Sequence, residues 1–255
     1  MFECKFSTIH VILAIMFLVF PSYAVSAVLF SGSFENGMTP FGGPYYGGAS
    51  VVTDGTAPDG THSLRFSIPG EMGGNSPDII DGHWSSQNEI WVQVYIKFSS
   101  NYQWPSIQDK FIFLPLQGNN FYIGAQWGNQ VSMCTQVLWG QGSTCWGGGG
   151  WTAGRWHKVV FHGIANSGTN GVGQVWVDDT LVINASNVNF LEHAGDTAFD
   201  GILLENVYGS GSRTGYPKYT YYDDVIVQTT AFGSGGGGGG GEPQTPNPPT
   251  NLQVQ

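Results

Sequence analysis

The sequence predicts an all-β protein made of two antiparallel sheets packed face to face. Three observations carry this. Short alternating or apolar runs follow one another from Val28 to about Phe232, separated by Gly, Pro, Asn and Asp. Nothing shows the i, i+3, i+4 spacing of a long amphipathic helix. Turn signals recur about every ten residues, the spacing of a sandwich or barrel. Residues 28–232 are enough for one large two-sheet core and long for a minimal binding module.

The elements follow in order. "HVILAIMFLVF", His10 to Phe20, is an apolar run preceded by Lys5 and followed by the small residues of "PSYAVSA". It is short for a bilayer span and suits a secretory signal peptide, 1–27, cleaved after Ala27 or Ala24. The mature chain is therefore expected outside the cell, with no membrane insertion. Strand candidates then come in sequence: "HSLRFSI", "NEIWVQVYIKF", "KFIFLPL", "FYIGAQW", "VSMCTQVLW", "WHKVVFHGI", "GQVWVDDTLVI", "GILLENVY" and "YTYYDDVIVQT". In the second, Ile90, Val92, Val94, Ile96 and Phe98 share one face, and Glu89, Trp91, Gln93, Tyr95 and Lys97 the other. The seventh reads as two strands joined at Asp178-Asp179, whose side chains favour a tight turn.

Cys4 leaves with the leader, so Cys134 and Cys145 remain as an even pair in an oxidising compartment and are expected to form a disulfide. Composition changes after Phe232. "GSGGGGGGGEPQTPNPP" reads as a flexible, then stiffer, linker over 233–249, so the folded unit is expected to be a monomer tethered to something further. Residues 250–255 look like the first strand of a fibronectin type III-like domain or a disordered tail.

Loss of the leader removes Lys5 and Glu3 together, so net charge stays at −10. Such a surface disfavours nucleic acid, acidic membranes and, less decisively, polyanions. Aromatic residues outnumber charged ones, 14% against 10%, which suits a partner that offers faces to stack on.

"SFENGMTPFGG", "DGTHSLRFSIP", "GRWHKVVFH", "GQVWVDDTLV" and "YYDDVIV" resemble the concanavalin A-like lectin/glucanase superfamily, which includes laminin-G-like domains and several polysaccharide lyases. The first and last also resemble the ends of jelly-roll carbohydrate-binding modules. The resemblance implies a jelly roll over most of 28–230 and a carbohydrate partner. It also implies a structural Ca²⁺ held by Glu35 and Asp224, with Asp223 the substitute, because a hard cation takes such oxygen ligands. Two turn carboxylates bonded to backbone amides are the alternative. By the same resemblance Trp156 belongs to the core.

Sugar rings pack their C–H faces on aromatic rings and need amides or carboxylates for their hydroxyls. Trp139, Trp146 and Trp151 lie near Gln136, Gln141 and Thr144 in a glycine-rich segment, where a disulfide would stiffen them for presentation. Trp91, Gln93 and Tyr95 occupy the polar face of their strand, and Trp127, with Trp84, stands in a polar setting. Core packing is the competing role for any single Trp.

For hydrolysis, two carboxylates must flank a groove. The superfamily's ExDxxE is absent, and "DIID" at 78–81 reads as a loop, which leaves Glu89 and Glu205. For β-elimination a base and a carboxylate neutraliser are needed. His157, His162, Tyr95, Tyr122 and Gln126 are available, although the Arg-rich strand and QxH triplet of jelly-roll alginate lyases are missing. There is no HExxH, GxxxxGK or GxSxG, and Asn184 begins an N-x-S sequon. The expected function is recognition of a neutral or weakly charged polysaccharide through Trp and Tyr stacking. A polysaccharide hydrolase or lyase, with Glu89, Glu205 or His157 catalytic, and an adhesion module are the alternatives.

Overall fold

In the computed structural model, residues 27–68, 79–116, 119–137, 143–166, 170–190, 198–208 and 218–233 are described. Residues 1–26 of the signal peptide, 234–249 of the linker, the tail and Trp139 lie outside them. The described residues form β1 (Val28–Gly32), β2 (Ala49–Thr53), β3 (His62–Ile68), β4 (Ile79–Gln87), β5 (Glu89–Phe98), β6 (Gln108–Leu116) and β7 (Asn119–Gln126). They continue with β8 (Gln130–Val137), β9 (Ser143–Gly148), β10 (Trp156–Ile164), β11 (Gly171–Val177), β12 (Thr180–Val188), β13 (Phe199–Tyr208) and β14 (Lys218–Gln228). An eight-stranded antiparallel sheet runs β12-β11-β10-β5-β14-β3-β2, with β1 also paired to β14. A six-stranded sheet runs β4-β13-β6-β7-β8-β9.

The two inner faces meet in one aromatic-rich core, to which β5 contributes Ile90, Val92, Val94, Ile96 and Phe98 as its alternation dictates. Phe98 sits among Tyr102, Trp104, Phe111 and Trp151 with ring centroids 4.9–5.5 Å apart. Asp178 and Asp179 take φ of 50° and 63°, so the expected Asp-Asp turn is the tight hairpin between β11 and β12.

Four strands, β1, β2, β4 and β9, are absent from the sequence-based set. β4 was expected as a loop around "DIID", because Gly82 and the serines break its alternation. Gly82 has a packing cause: a Cβ there would lie 2.4 Å from the Phe30 ring. Gly124 is likewise required, since a Cβ would stand 1.9 Å from the Asp109 carbonyl.

Cys134 and Cys145 form the expected disulfide, directly opposite each other on β8 and β9. The bridge closes a sequence separation of 11 residues. Replacing both cysteines with serine is expected to lower unfolding free energy by about 2–3 kcal/mol, the entropy regained by so short a loop in the unfolded chain. Denaturant titration of the two forms measures it.

Candidate functional site

Side chains on the outer face of the six-stranded sheet are fixed by register. One row crosses the sheet as Asp81, Leu203, Phe113, Tyr122, Cys134 and Cys145. Phe113, Tyr122 and the disulfide pack there with Leu203 and Val207 as a small apolar cluster separate from the main core. Beside it stand Lys110 and Glu205. The Lys110 ammonium lies 4.6 Å from the Tyr122 ring centroid and 5.9 Å from that of Phe113. Gln108 Nε2 approaches Cys134 Sγ at 3.2 Å, and Gln126 Nε2 does so at 3.7 Å. Gln126 Oε1 is buried with no hydrogen-bond partner.

The electrostatics of this group follow from burial. Glu205 is 7% exposed, and desolvation pushes its carboxyl up to about 7 against the pull of Lys110. Burial lowers the Lys110 ammonium, which Glu205 partly offsets. Tyr122 is 1% exposed, and burial pushes its phenol up to about 12. A proton-holding carboxyl, an amine shifted toward its neutral form and a firmly protonated phenol thus share one apolar floor. Between the ordinary Glu value of 4.5 and about 7 the native state holds a proton that the unfolded chain has lost. Stability is therefore expected to fall as pH rises through that window, and Glu205→Gln to flatten the slope, read as denaturant midpoints against pH.

Among the described residues, the strongly exposed aromatics are Tyr46 at 72%, Trp127 at 72% and Tyr45 at 56%. Trp127 caps the β7–β8 hairpin, and the Tyr45 hydroxyl donates to Asp81 of edge strand β4 at 3.0 Å. His83 Nε2 lies 3.1 Å from the same Asp81 carboxylate.

The other sequence-predicted residues are dispersed. Glu89 lies on the eight-stranded sheet, 2.9 Å from His162 Nε2, so it does not face Glu205 across a groove. His157 is fully buried on the eight-stranded sheet, with Nδ1 2.9 Å from Asp178 and Nε2 2.9 Å from the Thr152 backbone, and does not join Glu205 on the six-stranded sheet. Trp151 is 1% exposed and donates to the Gly124 carbonyl at 2.9 Å, so it is core. Trp146 turns inward against the same core, because Cys145 beside it takes the outer face. Trp84 also packs on the core and donates to the Phe199 carbonyl. Trp91 and Tyr95 are partly buried on the outer face of the eight-stranded sheet, with Trp91 stacked on His162 at 4.1 Å. Gln93, on that face, is 1% exposed and donates to Asp224 at 2.8 Å. Trp156, expected in the core, instead lies on this outer face, where the Lys97 ammonium sits 4.7 Å from its ring.

The acidic pair at the chain ends divides. A bulge with Asp224 at φ 43° puts three β14 steps against two on β5, so both carboxylates lie on the side away from the core, where they find different partners. Asp224 bonds Gln93, whereas buried Asp223 accepts from the Asp59 amide at 3.1 Å. Glu35 accepts from the Thr61 and His62 amides at 2.8 and 2.6 Å, which hold its carboxylate below the usual range. Asp223 and Glu35 thus meet one loop, 59–62. Among the described residues no group of three or more His, Cys, Asp or Glu gathers to hold a metal.

Lys110 and Gln108 were absent from the sequence-based candidates. The available signal was a lone lysine at the head of the otherwise apolar run "KFIFLPL".

No protein-family model matches the chain, and no curated protein matches it in sequence. Solved structures do. An endo-β-1,4-glucuronan lyase from the fungus Trichoderma reesei superposes with TM-score 0.62 at 18% identity, covering 80% of this chain and 96% of the lyase. A PL-14 alginate lyase from Aplysia kurodai gives TM-score 0.61 at 11% identity, covering 80% and 100%. The cellulose-induced protein Cip1 gives 0.54 at 17% identity, covering 79% and 97%. With its two antiparallel sheets packed on one main aromatic core, and with these neighbours, the chain has the fold of a two-sheet jelly-roll β-sandwich.

Proposed function

We propose that the outer face of the six-stranded sheet binds a polysaccharide and cleaves it by β-elimination at uronate units. The observation that carries this is the grouping of Lys110, Tyr122 and Glu205 on one apolar floor, with Gln108 and Gln126 beside them. The exposed rings of Tyr45, bonded to edge strand β4, and Trp127, at the β7–β8 turn, support a sugar-contacting rim to the same sheet.

Each residue has a role in that chemistry. The neutral Glu205 carboxyl and the Gln amides donate hydrogen bonds to the uronate carboxylate, which acidifies the adjacent C5 proton. Lys110 in its amine form takes that proton. The electron pair left on C5 forms the C4–C5 double bond as the C4–O4 bond breaks, and Tyr122 protonates the departing oxygen. A net charge of −10 opposes a polyuronate at long range. Locally, a neutral Glu205 beside Lys110 relieves that repulsion. The separation of Glu89 and Glu205 onto different sheets disfavours the hydrolase alternative.

Incubation with polyglucuronate, alginate and a neutral β-glucan tests the reading. Release of ultraviolet-absorbing unsaturated ends from a uronan is expected. Retention of the neutral glucan with no product from any polymer would return the function to recognition alone.

Export of the chain and its attachment to further domains through 233–249 are part of the same proposal, and the disulfide supports export. A structural Ca²⁺ is proposed on Glu35 and Asp223 rather than Asp224, completed by backbone carbonyls. What selects Asp223 is that it and Glu35 both reach loop 59–62; each accepts there from backbone amides, the arrangement of the metal-free alternative, and the melting test decides between the two. The cation would join the chain ends to that loop. A rise in melting temperature on adding Ca²⁺, absent in Asp223→Asn, is expected.

A further inference from the structure

The eight-stranded sheet carries a second ordered surface on the side facing away from the core. One register row crosses β10, β5, β14 and β3 as Trp156, Lys97, Tyr221 and Arg65, so rings and cations alternate. The Lys97 ammonium stands 4.7 Å from the Trp156 ring and 4.6 Å from that of Tyr221. The Arg65 guanidinium lies 4.8 Å over Tyr219, whose ring centroid is 6.1 Å from that of Tyr221. All five side chains are partly exposed.

The two cations differ. Lys97 is neutralised by Asp54 and bonded to Thr56. Arg65 forms no ion pair with any described carboxylate, and its Nε is buried without a hydrogen-bond partner. A guanidinium fixed over a tyrosine and lacking a counter-charge among the described residues of so acidic a chain is complementary to a carboxylate or sulfate brought by a ligand. The flanking rings offer apolar faces of the size a sugar ring covers.

We infer that Arg65, Tyr219, Tyr221, Lys97 and Trp156 form a non-catalytic binding surface for an acidic polysaccharide, on the sheet opposite the proposed cleavage site. Arg65 pairs with the acid group and the rings stack the sugars on either side. The surface stands independently of the elimination chemistry and shares with it only the choice of a uronan as ligand. Its use is to hold the polymer while the six-stranded face releases and re-engages successive segments.

Polyglucuronate cast into native gels tests this, with a neutral β-glucan gel beside it. Retardation of the parent protein in the uronan gel is expected to weaken about tenfold in Arg65→Ala, the scale of one lost charge-assisted hydrogen bond. Tyr219→Ala should weaken it too, and Lys110→Ala should leave most of it in place. Unsaturated-product formation from short uronate oligosaccharides should be unchanged in Arg65→Ala and Arg65→Gln, which also controls for folding. Equal retardation of parent, Arg65→Ala and Tyr219→Ala would overturn the inference, as would parent protein that is not retarded. Retardation lost only in Lys110→Ala would also overturn it, by assigning all binding to the six-stranded face. Product formation is scored separately, so failure here leaves the elimination reading standing, and retardation without products would sink that reading alone.

Discussion

Trp151→Ala is expected to destabilise the protein by about 3–5 kcal/mol, the range for removing a fully buried aromatic side chain. The indole fills the space between Phe98 and Phe111, with centroids 5.5 and 6.1 Å away, and stands edge-on to His157. It also donates to the Gly124 carbonyl, at the point where β7 lies too close to Asp109 for any side chain. Truncation leaves a cavity and an unpaired carbonyl in one step. Trp151→Phe keeps most of the volume and should lose clearly less. Denaturant titration of the three proteins measures the difference. A Trp151→Ala protein that is as stable as the parent but loses polysaccharide binding would restore the presentation role that its glycine-rich setting predicts.

Lys110→Ala is expected to lower kcat/KM for uronan cleavage at least about 100-fold, the smaller end of what a positioned general base contributes. Its removal also uncovers Glu205, whose proton is kept by burial against the pull of that ammonium. Thermal melting should therefore accompany the kinetics, since a lost base and a lost fold give the same zero rate. Tyr122→Phe supplies the matching control for the acid, because it keeps the ring under Lys110 and removes only the hydroxyl. A folded Lys110→Ala protein with unchanged turnover would remove Lys110 from the chemistry.

The sandwich was legible because a strand writes its two faces into its sequence. In Glu89–Phe98 every second residue, Ile90, Val92, Val94, Ile96 and Phe98, is in the core. Which sheet a strand joins is another matter. β5 pairs with β10 and β14, and β13 pairs with β4 and β6, and these partners lie far away in the chain. Alternation alone therefore gave Glu89 and Glu205 equal claims on one groove. The tryptophans misled for a related reason. Gly148 and Gly149 mark close approach to β12: a Cβ on Gly148 would stand 1.9 Å from the Val182 carbonyl and one on Gly149 2.6 Å from the Val182 side chain. Tight packing on both sides put Trp146 and Trp151 inward, and the same glycines read locally as a presentation loop.

The site was half legible. Glu205, Tyr122 and Gln126 were picked out by residue type, and the disulfide by compartment and parity. Lys110 was not, because a lysine at a strand start is ordinarily a solvated end. Only the register of β6 against β7 and β13 brings it onto Tyr122 and toward Glu205. The Asp223-Asp224 pair shows the same limit on a smaller scale. A bulge that no propensity predicts keeps both carboxylates on the outer side, where one meets loop 59–62 and the other Gln93.

The most direct measurement is a crystal structure of Lys110→Ala with a uronate tetrasaccharide bound. The account predicts sugar density on the outer face of the six-stranded sheet, over Phe113 and Tyr122, with a uronate carboxylate facing Glu205 and Gln126. Density confined to the eight-stranded sheet, over Trp91 or over Tyr219 and Arg65, with that face empty, would contradict it.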